Sequence, residues 1–365
     1  MDYSGENGIF RFSEGCCEVL PRNELTSNSA AQLGAKLADN FRRISAGCDN
    51  FSHMHLLYAV CSGISAAGKD VYVYENTDLP SFRFSYPLLS SDCGVFISGN
   101  GSVKLKLYGP ERIPLSGEET ARILTGKPAE APEKCGRIIS VSSFRDIYIC
   151  NLTDALGNSS LPIPAAVSCG SRSVRTLWEA FFTGSNDELV FQVSADGQKV
   201  NAYSSELGFI SNEKLQLACA ATDSSKETVV LPDSFHIDAE LAGLPVKRVP
   251  DFGKTLKKPP RFLVDPLYMC IKLASNRKIM LDTIKSLPEL ASVRREITAD
   301  FSGLLPFYRI IAGNGHRIIL SRSGRNRLAL SVQAHSAETA LEICGEWCDK
   351  LRRESAGCHI DKMKF

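Results

Sequence analysis

The chain has 365 residues, of which 44% are hydrophobic and 23% are charged, and its formal net charge is +1. This balance excludes an intrinsically disordered protein, and it lacks the basic excess by which nucleic-acid-binding proteins are recognised. No apolar run approaches the ~20 residues that a membrane-spanning helix needs. The thirteen cysteines contain no CxxC pair, which is typical of reduced thiols. The sequence therefore predicts a cytoplasmic protein with neither a nucleic-acid partner nor a membrane partner.

Helix and strand signals alternate in the first part of the chain. Leu25–Phe41 has the apolar period of a helix, with Thr26 or Ser27 as its N-cap. A second helix is predicted over Ser52–Ala67, and a strand over Asp70–Tyr74. A helix followed by a strand in this way is the order found in α/β domains.

Two further strands and a linker complete this first region. Strands are predicted over Cys93–Ser98 and Val103–Tyr108, separated by a loop of glycine, asparagine and serine. Gly126–Lys134 is rich in proline, glutamate and lysine, which is the composition of a linker. We therefore place the end of a first domain near residue 125.

Three more units are predicted after the linker. Residues 135–223 form a second α/β domain with a polar turn over 194–199, and residues 226–300 form a third. Residues 301–365 form a small α+β domain in which two strands flank 321–327 and an amphipathic helix follows. The predicted fold class is α/β, with three tandem αβα domains containing mixed sheets and a small carboxy-terminal α+β domain.

Several strings spread along the chain match one known family. Residues 92–116 contain DCGVFIS and KLYGPERIPLS, residues 191–211 read FQVSADGQKVNAYSSELGFIS, and residues 320–334 form a third such string. Together they resemble the alpha-D-phosphohexomutases, the family of the phosphoglucomutases and phosphomannomutases. The resemblance implies a phosphoserine, a Mg²⁺ ion, a sugar-recognition loop and a phosphate-binding loop. The chain is shorter than the family pattern and departs from it in each of these loops.

The loop that resembles the phosphoserine loop lacks its centre. The family pattern is T-A-S-H-N-P followed by N-G-x-K, whereas residues 97–106 read ISGNGSVKLK. Ser98 falls at the position of the family's threonine, and Ser102 lies in the shortened part. Both are candidates for a substitute nucleophile, while a simple turn between two strands explains the same residues.

The loop that resembles the metal loop has lost most of its carboxylates. The family pattern D-G-D-G-D-R surrounds one cation with three carboxylates, and residues 194–199 here read SADGQK. Asp196 is the single remaining candidate ligand for a metal. The sequence therefore predicts no cofactor, with Mg²⁺ required only if the protein is an active mutase.

The sugar-recognition loop of the family, G-E-[SE]-S-G-H, has no counterpart. The corresponding segment reads DFGKTLKKPPRFLV and contains neither glutamate nor histidine. Its basic residues fit either a solvated loop or a contact with an acidic partner; they are Lys254, Lys257, Lys258 and Arg261.

The phosphate-binding loop is the one that keeps a workable chemistry. The family pattern R-P-S-G-T-E-P is represented by residues 321–327, SRSGRNR. Guanidinium groups bind phosphate oxygens in pairs, and a serine hydroxyl adds a further donor. The candidates for phosphate binding are Ser323, Gly324, Arg325 and Arg327.

The leading hypothesis is a catalytically inactive phosphohexomutase homologue that binds a hexose phosphate or another anion through the carboxy-terminal loop. One alternative is an active phosphoglucomutase or phosphomannomutase with a relocated serine nucleophile. Another is a scaffold or regulatory subunit whose partner is an authentic mutase. The sequence alone does not separate the inactive, anion-binding homologue from the scaffold or regulatory subunit.

Overall fold

A computed structural model describes residues 10–13, 16–19, 25–99, 103–115, 117–126, 133–156, 161–184, 188–222, 228–232, 245–249, 260–287, 291–298, 308–313, 316–324 and 327–356. The chain divides into two compact units. The amino-terminal unit comprises residues 3–224 and 252–285. The carboxy-terminal unit comprises residues 225–251 and 286–365, together with residues 1–2.

A mixed sheet organises the first part of the amino-terminal unit. In spatial order its seven described strands are β1 (Phe10–Ser13), β2 (Cys16–Val19), β6 (Lys104–Tyr108), β5 (Cys93–Ser98), β3 (Arg43–Cys48), β4 (Asp70–Tyr74) and β7 (Ile138–Ser140). Strands β3, β4, β5 and β7 run parallel, and β6, β2 and β1 continue the sheet with antiparallel pairing. The strand β7 follows the predicted linker and yet joins this sheet, where it pairs with β4.

In the part of this region that the structure describes, four α-helices accompany the strands: α1 (Ser27–Asn40), α2 (Met54–Ala66), α3 (Leu79–Ser85) and α4 (Gly117–Thr125). Helix α1 begins as predicted, because the Thr26 hydroxyl accepts a hydrogen bond from the Ser29 N–H at 3.2 Å. Helices α1 and α2 touch through their backbones at two glycines. A Cβ on Gly34 would lie 2.1 Å from the Val60 carbonyl oxygen, and one on Gly63 would lie 1.8 Å from that of Ala31.

An aromatic cluster packs α3 against the sheet. Phe82 lies at the centre, with ring centroids 5.1 Å from Tyr74, 5.4 Å from Tyr86 and 5.3 Å from Phe96. All four side chains are at most 1% exposed. Contacts between aromatic rings at these distances add stabilisation beyond simple burial. The cluster therefore fixes α3 beside β4 and β5.

A second sheet follows in the same unit, next to a two-stranded pair. The described strands are β8 (Ile163–Pro164), β9 (Ala166–Cys169), β10 (Phe182–Thr183), β11 (Leu189–Val193), β12 (Val200–Ser204) and β13 (Gly208–Ile210). The sheet has the order β13-β12-β11-β9 with β9 and β11 parallel, and β8 pairs with β10. Its helices are α5 (Phe144–Leu156), α6 (Arg172–Glu179) and α7 (Asn212–Thr222). Trp178 is fully buried and stacks on Phe182 at 5.8 Å.

Among the described residues, three α-helices complete the amino-terminal unit: α8 (Arg261–Val264), α9 (Pro266–Ala274) and α10 (Arg277–Ser286). Asp265 caps α9 by accepting a hydrogen bond from the Tyr268 N–H at 3.1 Å. The hydroxyl of Tyr148 in α5 donates to the same Asp265 oxygen at 2.6 Å. This hydrogen bond links the start of α9 to helix α5.

The carboxy-terminal unit is α+β. The parallel strands β14 (Val229–Pro232) and β15 (Val246–Val249) form one pair. An antiparallel sheet has the order β16 (Ala291–Thr298), β19 (Arg327–Ala334), β18 (His316–Gly324) and β17 (Tyr308–Gly313), and helix α11 (Ala337–Ala356) follows it. Ile318, Leu330 and Val332 of the sheet form a core with Cys344 and Cys348 of α11.

These observations confirm the predicted fold class, α/β with mixed sheets and a small α+β part at the carboxy end. The predicted limits of four domains stay predictions. In the described part of the chain, no helix combines the length and the apolar character needed to span a bilayer.

The structure corrects the prediction of a loop over residues 321–327. Ser321–Gly324 continue β18, and Arg327 begins β19. Serine, glycine and arginine are typical of a turn, but here Ser321 pairs with Ala329 and Gly324 with Arg327 across the hairpin. Cross-strand pairing has overridden local composition. The connection at 325–326 lies outside the described residues.

Candidate functional site

A cleft of about 1240 Å³ opens in the amino-terminal unit, where parallel strands of both sheets end. From the first sheet, Asp49 follows β3 and Ser98 ends β5. From the second sheet, Gly170 follows β9, and Asp196 lies in the turn after β11 that spans residues 194–199. In open α/β sheets, ligands bind beyond the carboxyl ends of the parallel strands. The cleft is therefore in the expected position for a binding site.

The structure places the predicted Ser98 in the wall of this cleft. Ser98 is the last residue of β5, pairs with Lys104 of β6, and is 6% exposed. Ser102, the other candidate nucleophile, lies outside the described residues. The structure thus brings Ser98 and Asp196, predicted from two separate motifs, into one cleft.

Asp196 is held by three donors. Its Oδ1 accepts hydrogen bonds from the Ser194 hydroxyl at 2.7 Å and from the Gln198 N–H at 3.2 Å. Its Oδ2 lies 2.6 Å from the Lys106 Nζ, so the two side chains form an ion pair between the turn and β6. Gly197 supports the turn with a φ of +69°, a conformation that glycine adopts at little cost.

These contacts determine the ionisation of Asp196. Partial burial raises the pKa of the carboxyl group, but the charge of Lys106 and the three hydrogen bonds together outweigh burial, so the pKa is lowered overall. Asp196 is therefore an anion at neutral pH, and Lys106 is its counter-ion.

The possible metal ligands around Asp196 do not fit a Mg²⁺ ion, the metal that the family resemblance implies. Such an ion takes about six oxygen ligands and is usually bound through carboxylates. Asp196 is a single carboxylate whose two oxygens already accept from Lys106 and Ser194. Within the residues that the structure describes, no cluster of three or more His, Cys, Asp or Glu side chains could hold a metal.

Asp49 is a second carboxylate that lines the cleft, and His53 is its neighbour. Burial raises the pKa of the Asp49 carboxyl group, although His53 and Lys106 oppose this shift. Asp49 Oδ1 and His53 Nδ1 are 3.8 Å apart, and both are buried without a hydrogen-bond partner in the described part of the protein. Buried polar atoms of this kind are commonly satisfied by water or a ligand.

Basic groups and hydroxyls line much of the rest of the cleft. They are Lys104, Lys106, Arg145, Arg172, Ser143, Ser171, Ser173 and Thr176. Arg145 is oriented by Asp78, whose fully buried carboxylate lies 3.0 Å from the guanidinium. Arg172 is the first residue of α6, where the Ser171 hydroxyl caps the helix. Anions are favoured at such a terminus, because backbone N–H groups and the helix dipole point toward them.

Two residues of the lining have a left-handed backbone although neither is glycine. Asn76 has a φ of 43° and Ser143 a φ of 58°. A left-handed conformation is costly for most side chains and is concentrated at functional sites. Asn76 lies in the turn after β4, and Ser143 directly precedes α5.

The described part of the predicted sugar-loop segment has a structural role. The Arg261 Nε lies 3.0 Å from the Asp265 Oδ2, and the guanidinium stands 4.2 Å from the centre of the Tyr268 ring. Arg261 is therefore occupied by contacts within the unit, and it does not belong to a solvated loop. Lys254, Lys257 and Lys258 lie outside the described residues.

The predicted phosphate-binding residues belong to the carboxy-terminal unit. Ser323 and Gly324 lie at the end of β18, and Arg327 lies at the start of β19. Arg325 lies outside the described residues. Their role in phosphate binding stays a prediction.

Sequence reasoning did not single out Lys104, Lys106 or Arg172. A signal for the two lysines was present, because lysine and leucine alternate in β6. Leu105 and Leu107 are fully buried, so Lys104 and Lys106 share the opposite face of the strand. The ion pair with Asp196 joins residues 90 positions apart and has no local signal.

Comparisons with known proteins agree with this architecture. No family model and no curated protein match the chain. Among solved structures, the chain is similar to a Thermus thermophilus protein assigned as a phosphomannomutase, with a TM-score of 0.64, 13% identity, and coverage of 96% of this chain and 99% of the other. It is similar to a phosphoglucomutase/phosphomannomutase family protein from Burkholderia thailandensis, with a TM-score of 0.66, 14% identity, and coverage of 95% and 98%.

A third similar structure is the Paramecium phosphoglucomutase pp63/parafusin in an open form. Its TM-score is 0.60 at 10% identity, and the match covers 98% of this chain and 97% of the other. At such low identities, the three likenesses establish a common fold.

Proposed function

We propose that this chain, which has the fold of the phosphohexomutases, is a non-catalytic homologue of those enzymes that binds a phosphorylated sugar or a related anion. The observation that carries the proposal is the ion pair between Lys106 and Asp196, at 2.6 Å. It places an ammonium group on the carboxylate that a catalytic cation would need. The cleft around the pair retains a lining suited to an anion.

The loss of catalysis follows from the needs of phosphoryl transfer. The reaction requires a positioned nucleophile and strong compensation of the charge that spreads over the transferred group. Ser98 lies in the cleft, but Asp196 does not offer a metal its oxygens. Without that compensation, we expect no measurable mutase turnover.

Binding of an anion is supported by the cleft itself. Among the described residues, four basic side chains line it, and three acidic side chains oppose them, namely Asp49, Asp146 and Asp196. Arginine binds phosphate oxygens in pairs, and hydroxyls add further donors. The cleft volume of about 1240 Å³ exceeds the roughly 300–1,000 Å³ of typical ligand pockets, so the cleft has room for a hexose phosphate.

The carboxy-terminal hairpin is the second part of the proposal. Ser323, Gly324, Arg325 and Arg327 would supply another phosphate contact, because guanidinium groups and a serine hydroxyl are suited to phosphate oxygens. Arg325→Ala tests this part separately. We expect it to weaken binding of a hexose phosphate, and unchanged binding would remove the hairpin from the proposal.

The central test combines an activity assay with a binding assay. The purified chain is incubated with glucose 1-phosphate or mannose 1-phosphate, Mg²⁺ and a hexose bisphosphate. We expect no interconversion, but a rise in melting temperature as the hexose phosphate concentration increases. Clear turnover that is lost in Ser98→Ala would contradict the proposal.

A matched pair of variants locates the binding site. Arg172→Ala removes a guanidinium from the cleft and should lower affinity about tenfold. Arg175→Ala serves as the control, since Arg175 lies on the same helix, is half-exposed, and pairs with Glu179. Equal effects of the two variants would show that the cleft is not the site.

The alternative of an active mutase is favoured by the position of Ser98 in the cleft wall. It predicts a phosphoryl group on Ser98 or Ser102. Intact-mass measurement followed by peptide mass spectrometry tests this, and an unmodified chain after incubation with a hexose bisphosphate argues against it.

A scaffold role beside an authentic mutase predicts that the two proteins co-purify.

A cytoplasmic location is also part of the proposal. It is supported by the ten cysteines whose side chains the structure describes, all of which are free thiols, as expected in a reducing compartment.

A further inference from the structure

We propose that the Lys106 ammonium group acts in place of a divalent cation, so that anion binding in the cleft needs no metal and Asp196 competes with the anion for Lys106. This inference rests on the proposed binding function and extends it. It assigns the cation of the site to the chain itself. It also predicts that the carboxylate weakens ligand binding.

Lys106 is held in place by the strand that carries it. Its neighbours Leu105 and Leu107 are fully buried in the core, so the alternation of β6 turns Lys106 to the cleft. Its side chain is only 15% exposed. An ammonium group has three donors, and Asp196 Oδ2 accepts one of them. A phosphate oxygen can therefore use the donors that remain.

The turn that carries Asp196 is also held in place. A Cβ on Gly197 would lie 2.6 Å from the Cγ of Pro80, so the turn packs directly against the start of α3. Gln198 accepts a hydrogen bond from Arg83 of the same helix. The Ser194 hydroxyl accepts from the N–H groups of Gln198 and Lys199, at 3.2 and 3.0 Å. The carboxylate is thus fixed beside Lys106 before any ligand arrives.

The local charge explains why a metal is not needed. Lys104 and Lys106 lie on the same face of β6, and both line the cleft with Asp196. The Lys106 ammonium group is in direct contact with Asp196 and also acts on Asp49 through its charge. A divalent cation at Asp196 would be repelled by this ammonium group at 2.6 Å from the carboxylate, whereas an anion would be attracted by it.

When the carboxylate is replaced, this arrangement predicts a change in ligand affinity opposite to that of a metal site. In a metal site, replacing the carboxylate lowers ligand binding because the cation is lost. Here Asp196→Asn keeps the shape of the side chain but releases Lys106 from its counter-ion. The affinity for an anion should therefore rise, by about threefold to tenfold.

The experiment measures binding by isothermal titration calorimetry on the full chain. The probes are glucose 1-phosphate and inorganic phosphate, each in buffer with EDTA and in buffer with Mg²⁺. We expect equal affinities in the two buffers for the wild type, a higher affinity for Asp196→Asn, and about a tenfold loss for Lys106→Met. Lys199→Met is the control, because Lys199 is an exposed lysine of the same turn that does not line the cleft.

The outcomes separate this inference from the proposed function. Binding that requires Mg²⁺, or that weakens in Asp196→Asn, would overturn the inference while leaving anion binding in place. Absence of binding for the wild type in both buffers would overturn both. If Lys106→Met does not fold, Asp196→Asn still decides the question. The direction of its change in affinity distinguishes a competing carboxylate, whose loss raises affinity, from a metal ligand, whose loss lowers it.

Discussion

At the scale of one residue, the ionisation of the Asp196 carboxyl group makes the stability of the protein depend on pH. Burial raises its pKa, but the charge of Lys106 and the hydrogen bonds outweigh burial, so the pKa in the folded state is lowered. The stabilisation is therefore present above the unfolded value of about 3.9, and it is lost as the pH falls through the folded pKa. Since 38% of the side chain is exposed, solvent screening limits the effect to about 0.5–1 kcal/mol.

The test compares melting temperatures of the wild type and Asp196→Asn between about pH 6 and pH 3. We expect the wild type to lose about 1–3 °C more than the variant over this range. Parallel curves for the two proteins would contradict the prediction.

Tyr148 joins two segments of the amino-terminal unit through one hydrogen bond. The side chain is 1% exposed, and its hydroxyl donates to Asp265 at 2.6 Å. Tyr148→Phe removes the donor and should lower the free energy of unfolding by about 1–2 kcal/mol, measured by urea denaturation. Tyr203→Phe is the control, because Tyr203 is 51% exposed and should tolerate the change. Equal effects would mean that the buried bond contributes little.

The contact between α1 and α2 is the clearest prediction at the scale of an element. Gly34→Ala and Gly63→Ala each place a methyl group against a backbone carbonyl of the other helix. Since backbone atoms cannot rotate away, the helices must separate, at a cost of about 1–3 kcal/mol in the free energy of unfolding.

The matched control is Gly345→Ala in α11, where a Cβ meets nothing within 4 Å. Alanine favours a helix interior over glycine by about 0.5–1 kcal/mol, so this variant should be more stable than the wild type. Denaturation curves of the three variants test the pair. Destabilisation of all three alike would point to a general loss of helix and not to a close contact.

Elements with local signals were predicted well from the sequence. Helix α1 begins after its N-cap Thr26, whose side-chain hydroxyl accepts a hydrogen bond from the N–H of Ser29, three residues later in the chain. The strand over 93–98 and the polar turn over 194–199 likewise have compositions that determine their structure. The end of β18 was not predicted, because pairing with β19 extends the strand through a segment rich in serine and arginine.

The candidate site was predictable only in part, for a physical reason. Ser98 and Asp196 were found because each lies in a recognisable string. Their meeting in one cleft, and the ion pair of Asp196 with Lys106, depend on how two sheets pack. Contacts between residues this far apart leave no periodic pattern in a single sequence.

At the scale of the whole molecule, a scaffold with the phosphohexomutase fold carries the cleft in which Lys106 pairs with Asp196. The proposed metal-free binding implies that Mg²⁺ adds no stability, because only binding to the folded state raises the melting temperature. We expect melting temperatures in EDTA and in Mg²⁺, without other ligands, to agree within about 1 °C. A rise that follows the Mg²⁺ concentration would contradict this prediction.

The position of Trp178 has a spectroscopic consequence. The chain has two tryptophans, and Trp178 is the one in the amino-terminal unit, fully buried against Phe182, while Trp347 lies in α11 with the Lys350 ammonium 4.8 Å from its ring centre. Each unit thus contains one tryptophan. In a Trp347→Phe variant, the tryptophan emission reports on the amino-terminal unit alone, and its shift toward longer wavelengths marks the unfolding of the unit that contains the cleft.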